Sequence, residues 1–139
     1  MNATQLSAFI VPLNTGPNYF LKHLPLTSKD GVERTAGMKS GFIHLESDDE
    51  VSWHTTGSKE ELLIILRGEA TVKLGAKIAR PMTVTGPAAF YIPPETGHSV
   101  RNNGTEALEY VYVVAALPAA PRVLQVHEGG PGWEGSRPG

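Results

Sequence analysis

The 139-residue chain contains no cysteine and few charged residues of either sign, and each shortage excludes a class of chemistry. Without cysteine there is no disulfide, Cys-ligated zinc, iron–sulfur cluster or thiol nucleophile, so any metal must be held by histidine, carboxylate or water. Twelve Lys and Arg against 14 Asp and Glu give a formal net charge of −2. This balance, with no long run of one sign, provides no electrostatic footprint for nucleic acid or an anionic membrane.

Long hydrophobic runs are also missing. No apolar stretch approaches the roughly 20 residues that a membrane-spanning helix needs. The first residues, Met-Asn-Ala-Thr-Gln-Leu-Ser, have neither the basic segment nor the apolar segment of a secretion signal. We therefore expect a cytoplasmic protein that has no nucleic-acid partner and no membrane partner.

Glycine and proline, by contrast, are abundant, and they divide the chain into three stretches. Residues 1–36 open with the apolar run Leu6–Leu13, which we predict to be an early strand followed by irregular chain. Residues 37–117 are short apolar segments separated by turns, and residues 118–139 form a Pro/Gly-rich tail. We interpret 1–117 as a single domain, with an N-terminal arm and a core at about 37–117.

The central stretch is predicted to be all-β. Val, Ile, Tyr and Thr dominate its apolar segments, and the connections are too short for crossover helices, so the strands should be antiparallel. Asp30-Gly31 is a turn signal, Asn103-Gly104 a strong hairpin signal, and Gly68 most simply a hairpin turn residue. Short antiparallel strands at close spacing indicate a sandwich, jelly roll or small barrel, which can enclose a pocket. The predicted strands are Gly41–Leu45, Val51–His54, Glu61–Leu66, Ala70–Leu74, Met82–Thr85, Ala88–Ile92, His98–Arg101 and Ala107–Ala115.

Two segments of this stretch carry residues at a distinctive spacing. In the first, His54 is followed by Thr56, then after four residues by Glu61, and after six more by Gly68. This segment resembles the first motif of the cupin superfamily, His-x-His, three or four residues, Glu, six residues, Gly. Thr56 stands where the motif has its second histidine.

The second segment runs from Tyr91 to Asn102 and resembles the second cupin motif, Pro-x-Gly-x-x-His-x-x-x-Asn. It matches at Pro93, His98 and Asn102, with Glu95 at the usual glycine. The two motifs occur in the family's order, and the resemblance covers about residues 41 to 115.

The resemblance implies a cupin-type double-stranded β-helix, a jelly-roll barrel of short antiparallel strands. Cupins hold Fe, Mn, Ni, Zn or Cu at these motif positions, so it also implies that His54, Glu61 and His98 are the ligands of a divalent metal. Two neutral imidazoles and one carboxylate on rigid strands would leave coordination positions open for water or substrate.

Several alternatives stay open for this site. Glu60 could face inward in place of Glu61, although only Glu61 has the spacing of the motif. His44 could replace the imidazole that is missing at Thr56 if its strand face points inward, but we favour a surface His44 with Glu46 as its neighbour. The competing interpretation of the whole motif is a metal-free relative that keeps the barrel.

Other polar residues carry little functional signal in the sequence. His23 and His127 lie in segments that read as irregular, and Tyr110 and Tyr112 are expected strand aromatics. Arg101 could bind an anionic substrate at the barrel mouth, although an exposed strand arginine usually does nothing specific.

The sequence therefore predicts a small single-domain cupin that binds a divalent metal (Fe, Mn, Ni or Zn) and acts on a small organic molecule. Dioxygenase, isomerase, lyase and decarboxylase activities all occur on this fold, and a fold does not choose among them. The competing class is a binding or sensing module without catalysis. Small cupins usually pair, and the apolar run Leu6–Val11 would leave an exposed edge, so we expect a homodimer in which this segment joins or packs on the partner's sheet.

Overall fold

Strands make up all the regular secondary structure of the residues that the computed structural model describes, which are 6–13, 21–75 and 80–117. Within these ranges no helix is long and apolar enough to cross a membrane. The predicted tail at 118–139, with His127, lies outside the described residues. The strands are β1 (His23–Pro25), β2 (Ser28–Lys29), β3 (Val32–Glu33), β4 (Met38–Leu45), β5 (Glu50–His54), β6 (Glu60–Arg67), β7 (Glu69–Leu74), β8 (Arg80–Thr85), β9 (Ala88–Ile92), β10 (His98–Arg101) and β11 (Leu108–Ala115).

Two antiparallel sheets enclose the core. The five-stranded sheet has the order β1-β4-β11-β6-β9, and the four-stranded sheet has the order β5-β10-β7-β8. Apolar side chains from both sheets form one buried cluster between them, in which Leu45, Leu63 and Ile65 of the five-stranded sheet meet Val72 and Val100 of the four-stranded sheet. The strands β2 and β3 form a separate small hairpin. The all-β jelly-roll prediction is confirmed.

The eight predicted strands all occur, most of them within one or two residues of their predicted bounds. The largest difference is β4, which begins at Met38 rather than Gly41 because Met38, Lys39 and Ser40 continue the pairing with β11. Alternation of buried and exposed side chains is clearest in β6, as expected for a strand with one face on the core.

The early strand predicted at Leu6–Leu13 is wrong for the described chain. These residues have no strand pairing and are mostly exposed, with Ile10 89% accessible. Strand β1 comes later, at His23–Pro25, and pairs with β4 at the edge of the five-stranded sheet. His23 therefore belongs to a strand, not to irregular chain. The β propensity of an apolar run does not make it a strand unless another strand is available to pair with it.

Two predicted hairpins are also wrong, because the chain changes sheets at both places. Gly68 connects β6 of the five-stranded sheet to β7 of the four-stranded sheet, and Asn103-Gly104 lies between β10 and β11, which are again in different sheets. Gly68 has a φ of +87°, and a Cβ there would lie 2.5 Å from the Ala107 carbonyl oxygen. The fully buried Asn102 side chain donates to the carbonyls of Leu45 and Glu106, which holds the second corner. The turn at Asp30-Gly31, in contrast, does join the paired strands β2 and β3.

The strand register places polar residues toward one end of the inner face of the five-stranded sheet. Lys39, Val114 and Glu61 lie side by side on β4, β11 and β6. The next row on that face is Gly41, Tyr112 and Leu63, followed by Ile43, Tyr110 and Ile65. The side chains become apolar with distance from this first row. The end of the face that carries Lys39 and Glu61, called the polar end below, is therefore where we expect a functional site.

Candidate metal centre

Three strands from both sheets bring His54, Glu61 and His98 together. His54 ends β5 and is paired directly with His98 of β10, so the two imidazoles are neighbours in the four-stranded sheet. Their ring centroids are 4.3 Å apart in an edge-to-face arrangement. Glu61 reaches them from β6 of the opposite sheet, and one ligand atom from each residue lies within 4.8 Å of the others. These are the three residues that the sequence singled out.

Both histidines are held in a tautomer that suits a metal ligand. Nδ1 of His54 lies 2.7 Å from the Ser52 carbonyl oxygen, and Nδ1 of His98 lies 3.0 Å from the Thr96 carbonyl oxygen. A carbonyl only accepts, so each Nδ1 carries the proton and donates it. Each neutral ring then keeps its lone pair on Nε2, and a backbone bond of this kind is the usual orienting contact of a metal-bound histidine.

The two buried members of the group have polar atoms without a suitable partner. His98 is 1% and Glu61 6% accessible, and Nε2 of His98 lies 3.0 Å from Oε1 of Glu61. The contact does not have hydrogen-bond geometry, and neither atom has another partner among the described residues. Buried atoms of this kind are rarely left unsatisfied. Two convergent lone pairs are what a cation requires, so the donor set fits a divalent metal.

The pKa of His98 also indicates that a positive charge is favoured in this group. Burial lowers the pKa of His98, but the Glu61 carboxylate and the Thr96 carbonyl raise it by more, so the pKa stands above the ordinary histidine value. Glu61 thus supplies negative charge where a positive charge is favoured. A bound cation would take the place of that proton.

The structure distinguishes Glu61 from Glu60 and shows where Thr56 lies. Glu60 points away from the group and accepts a hydrogen bond from the Tyr91 hydroxyl at 2.6 Å, so Glu61 is the carboxylate that faces inward. Thr56 lies beyond the end of β5 and lines the same pocket as His54. Its hydroxyl donates to the Lys59 carbonyl at 3.0 Å.

His44 does not replace the missing imidazole. Nδ1 of His44 lies 2.7 Å from a Glu109 carboxylate oxygen and Nε2 lies 2.8 Å from Glu46, on the outer side of the five-stranded sheet. The inner side is taken by its neighbours Ile43 and Leu45, which pack in the core. Strand alternation leaves His44 only the other face. The surface interpretation with Glu46 is confirmed.

Arg101 is likewise placed away from the pocket. Its guanidinium contacts Asp48 at 3.3 Å, Glu50 at 3.5 Å and the Asn103 side chain at 2.7 Å. It is absent from the described residues that line the pocket. An arginine already shared among these acceptors does not support the expectation of a substrate contact.

A pocket of about 470 Å³ opens above the three residues and includes side chains that the sequence did not single out. Its wall holds His23 and Tyr112, whose Nε2 and hydroxyl oxygen are 2.7 Å apart, with the rings stacked. The Gly41 backbone lies under this pair, and a Cβ there would approach His23 Nε2 to 2.5 Å. Burial lowers the pKa of His23, and burial and then Glu61 raise that of Tyr112, so both groups are neutral.

The sequence did contain a signal for the tyrosines. Tyr110, Tyr112 and Val114 alternate along β11 and so share one strand face, and all three line the pocket. No sequence pattern places His23 there, because β1 is only three residues long and its pairing with β4 is a tertiary contact.

The two antiparallel sheets and the His54, Glu61 and His98 group in the pocket agree with the resemblance to the two cupin motifs. Residues 41–114 match the family model described as Cupin domain, and the chain belongs to that family. No curated protein sequence matches significantly.

Solved structures share the fold at low sequence identity. The cupin domain of Schizosaccharomyces pombe Cnp3 is 18% identical with a TM-score of 0.57, covering 68% of this chain and 63% of that one. An RmlC-like cupin family protein from Methanocaldococcus jannaschii is 23% identical with a TM-score of 0.54, covering 59% and 72%. A predicted oxalate decarboxylase from Thermotoga maritima is 20% identical with a TM-score of 0.52, covering 57% and 66%.

Proposed function

We propose that this cupin binds one divalent metal ion through His54, Glu61 and His98 and acts on a small organic molecule in the pocket above it. The observation that carries the proposal is the convergence of three ligand atoms within 4.8 Å, together with the buried Oε1 of Glu61 and Nε2 of His98, which have no hydrogen-bond partner among the described residues. Fe, Mn, Ni and Zn all accept such a set of imidazole and carboxylate ligands.

In this proposal some residues of the chain would balance the charge of the metal, and others would shape the pocket. When bound, the metal supplies Lewis-acid polarisation of a substrate oxygen or a site for dioxygen. The Glu61 carboxylate offsets part of the metal's charge, and the carbonyls of Ser52 and Thr96 keep both imidazoles aimed inward. The apolar wall formed by Ile43, Leu63 and other side chains excludes water from one side of the site.

The proposed reaction is of the dioxygenase, isomerase or lyase type. Structures with a similar fold include a predicted oxalate decarboxylase from Thermotoga maritima and a putative sugar phosphate isomerase from Acidithiobacillus ferrooxidans. Likeness at this identity supports the fold alone, and the residues of the pocket must decide the chemistry.

Elemental analysis of the purified protein tests the metal directly. We expect about one divalent ion per chain in wild type and in His44→Ala, whose imidazole lies outside the pocket. His98→Ala should lose the metal, because two remaining ligands hold a divalent ion weakly, while the strand content by circular dichroism stays unchanged. Full occupancy in His98→Ala would remove this residue from the site.

The second candidate function is a binding or sensing module without catalysis. It is favoured by Thr56, whose neutral hydroxyl stands where the motif has an imidazole and is a poor ligand for a transition metal. A protein that stays metal-free when supplied with stoichiometric metal, yet binds small molecules in its pocket, would favour the module.

A further inference from the structure

Positive charge is concentrated around the pocket, although the chain as a whole has a net charge of −2. Lys22, Lys39 and Lys59 line it, and Glu61 is the one carboxylate among its described lining residues. A concave site lined by one sign of charge, with apolar walls, concentrates ligands of the opposite sign.

The three lysines come from different parts of the chain. Lys39 and Lys59 lie toward the polar end of the pocket, whereas Lys22 lies toward the other end, because it precedes His23, which pairs with Ile43. Lys22 precedes β1, Lys39 lies on β4, and Lys59 lies in the loop between β5 and β6. Lys39 stands in the same cross-strand row as Glu61, two strand spacings or about 10 Å away. A lysine side chain covers more than half of that distance, and its apolar stem can lie along Val114 between them.

None of these lysines forms an ion pair with a carboxylate in the part of the chain that the structure describes. The Lys22 ammonium donates to the Glu50 carbonyl oxygen at 3.1 Å, which is an uncharged partner. Within the described residues the ion pairs are formed by arginine and histidine, and no lysine takes part in one. Arg67 and Arg101, in contrast, are paired with carboxylates outside the pocket.

We propose that Lys39 and Lys59 form an anion subsite, so that the ligand of this cupin is a small organic acid. One end of the acid reaches the His54, Glu61 and His98 group, and its distal carboxylate meets Lys39 and Lys59. The inference rests on the proposed function for the first contact, while the second depends on the lysines alone.

The shape and chemistry of the pocket agree with such a ligand. A volume of about 470 Å³ falls in the range of small-molecule sites. The hydroxyl of Tyr112, together with His23, offers a polar contact on the wall between the two ends. Lysine is a compact point charge on a flexible stem, so it selects for negative charge more than for one fixed geometry.

Calorimetric titration of the manganese-loaded protein with succinate and with its uncharged diamide tests the subsite. We expect succinate to bind at least about tenfold more tightly than succinamide, a charge preference typical of a few partly desolvated pairs. Lys39→Met and Lys59→Met should each weaken succinate binding by about three- to tenfold and leave succinamide binding unchanged. Lys29→Met is the matched control, since Lys29 lies on the separate β2–β3 hairpin outside the pocket lining.

The outcomes separate the subsite from the metal site. Equal affinity for succinate and succinamide, or an equal loss in Lys29→Met and Lys39→Met, would overturn the subsite even if the protein is fully metal-loaded. A protein that takes up none of Fe(II), Mn, Ni and Zn would overturn the proposed metal function instead. In that case succinate should still bind the metal-free wild type more tightly than it binds the Lys39→Met, Lys59→Met double variant, and a lack of difference overturns the subsite too.

Discussion

Position 56 is where this chain departs most clearly from the first cupin motif. The Thr56 hydroxyl lines the pocket but is used in a turn, where it donates to the Lys59 carbonyl. His44, the other residue that could have supplied a fourth imidazole, is on the outer side of the sheet. We therefore expect any fourth ligand to come from water or substrate.

Restoring the imidazole with Thr56→His should raise the affinity for Zn or Ni by about 10- to 100-fold, because a further protein ligand adds a bond at a site already held by strands. Thr56→Val removes the same hydrogen bond without adding a ligand, and it should leave the affinity within a factor of about three. Competition with a chromogenic chelator measures both. A gain in Thr56→Val equal to that in Thr56→His would show that the turn, not the imidazole, controls the affinity.

The close approach at Gly41 makes a second prediction at the residue scale. Gly41→Ala would place a methyl group 2.5 Å from His23 Nε2 and 2.6 Å from the Tyr112 ring, so the His23 and Tyr112 pair must separate. We expect a loss of about 1–3 kcal/mol in the free energy of unfolding, as for other overpacked sites. Gly37→Ala is the control, because nothing lies within 4 Å of a Cβ at Gly37. Urea unfolding of both variants measures the difference, and equal stabilities would contradict the close packing.

At the scale of strands, sequence reasoning succeeded where one strand face has a single environment. The period of two in β6 and β11 follows from burial on one side. Alternation alone did not decide between Glu60 and Glu61, and the preference for Glu61 came from the spacing of the motif. Sequence reasoning failed at Gly68 and at Asn103-Gly104. Turn residues report a local backbone conformation, whereas the sheet that the next strand joins depends on distant partners.

The pair of strands β4 and β11 carries an outer cluster whose stability depends on pH. Burial lowers the pKa of His44, but Glu46 and Glu109 raise it by more, and Arg67 also contacts Glu109 at 3.3 Å. The pKa in the folded protein is therefore above the ordinary value of about 6.5. A raised pKa of this kind contributes stability that is complete below about pH 6.5 and is lost as the pH rises through the folded value.

We expect wild type to lose free energy of unfolding relative to His44→Gln as the pH is raised from about 6 to 8, because glutamine does not titrate. Chemical denaturation at a series of pH values gives this difference, and the contribution of other histidines cancels between the two proteins. A constant difference across the range would mean that the pKa of His44 is the same in the folded and the unfolded protein.

At the scale of the whole molecule, the exposed segment at the N-terminal end of the described chain bears on the predicted homodimer. The segment Leu6–Leu13 does not pair with the described strands, and Ile10 and Leu6 are 89% and 53% accessible. Within this segment the Phe9 ring packs against the Arg34 guanidinium, whose central carbon lies 4.2 Å from the ring centroid. Exposed apolar side chains of this size favour contact with another surface.

We therefore keep the prediction of a homodimer in which this segment contacts the partner. Light scattering at micromolar concentration should give twice the chain mass, and Leu6→Ser with Ile10→Ser should increase the dissociation constant by about tenfold or more. The double variant Val32→Ser, Met82→Ser removes exposed apolar side chains elsewhere and serves as the control. A monomeric wild type would contradict the dimer, and an unchanged constant would exclude the segment from it.

The position of the site in the two sheets also makes its three residues unequal in mobility. His98 and Glu61 lie on β10 and β6, each hydrogen-bonded to a strand on both sides, whereas His54 is the last residue of β5, which is an edge strand. Edge strands open locally more readily than central ones. Amide hydrogens of β5 should therefore exchange with deuterium faster than those of β10 in the metal-free protein and slow down on metal addition. For the metal proposed here, His54 would then be the last ligand to engage and the first to leave, and β5 would be the route by which the ion enters and escapes.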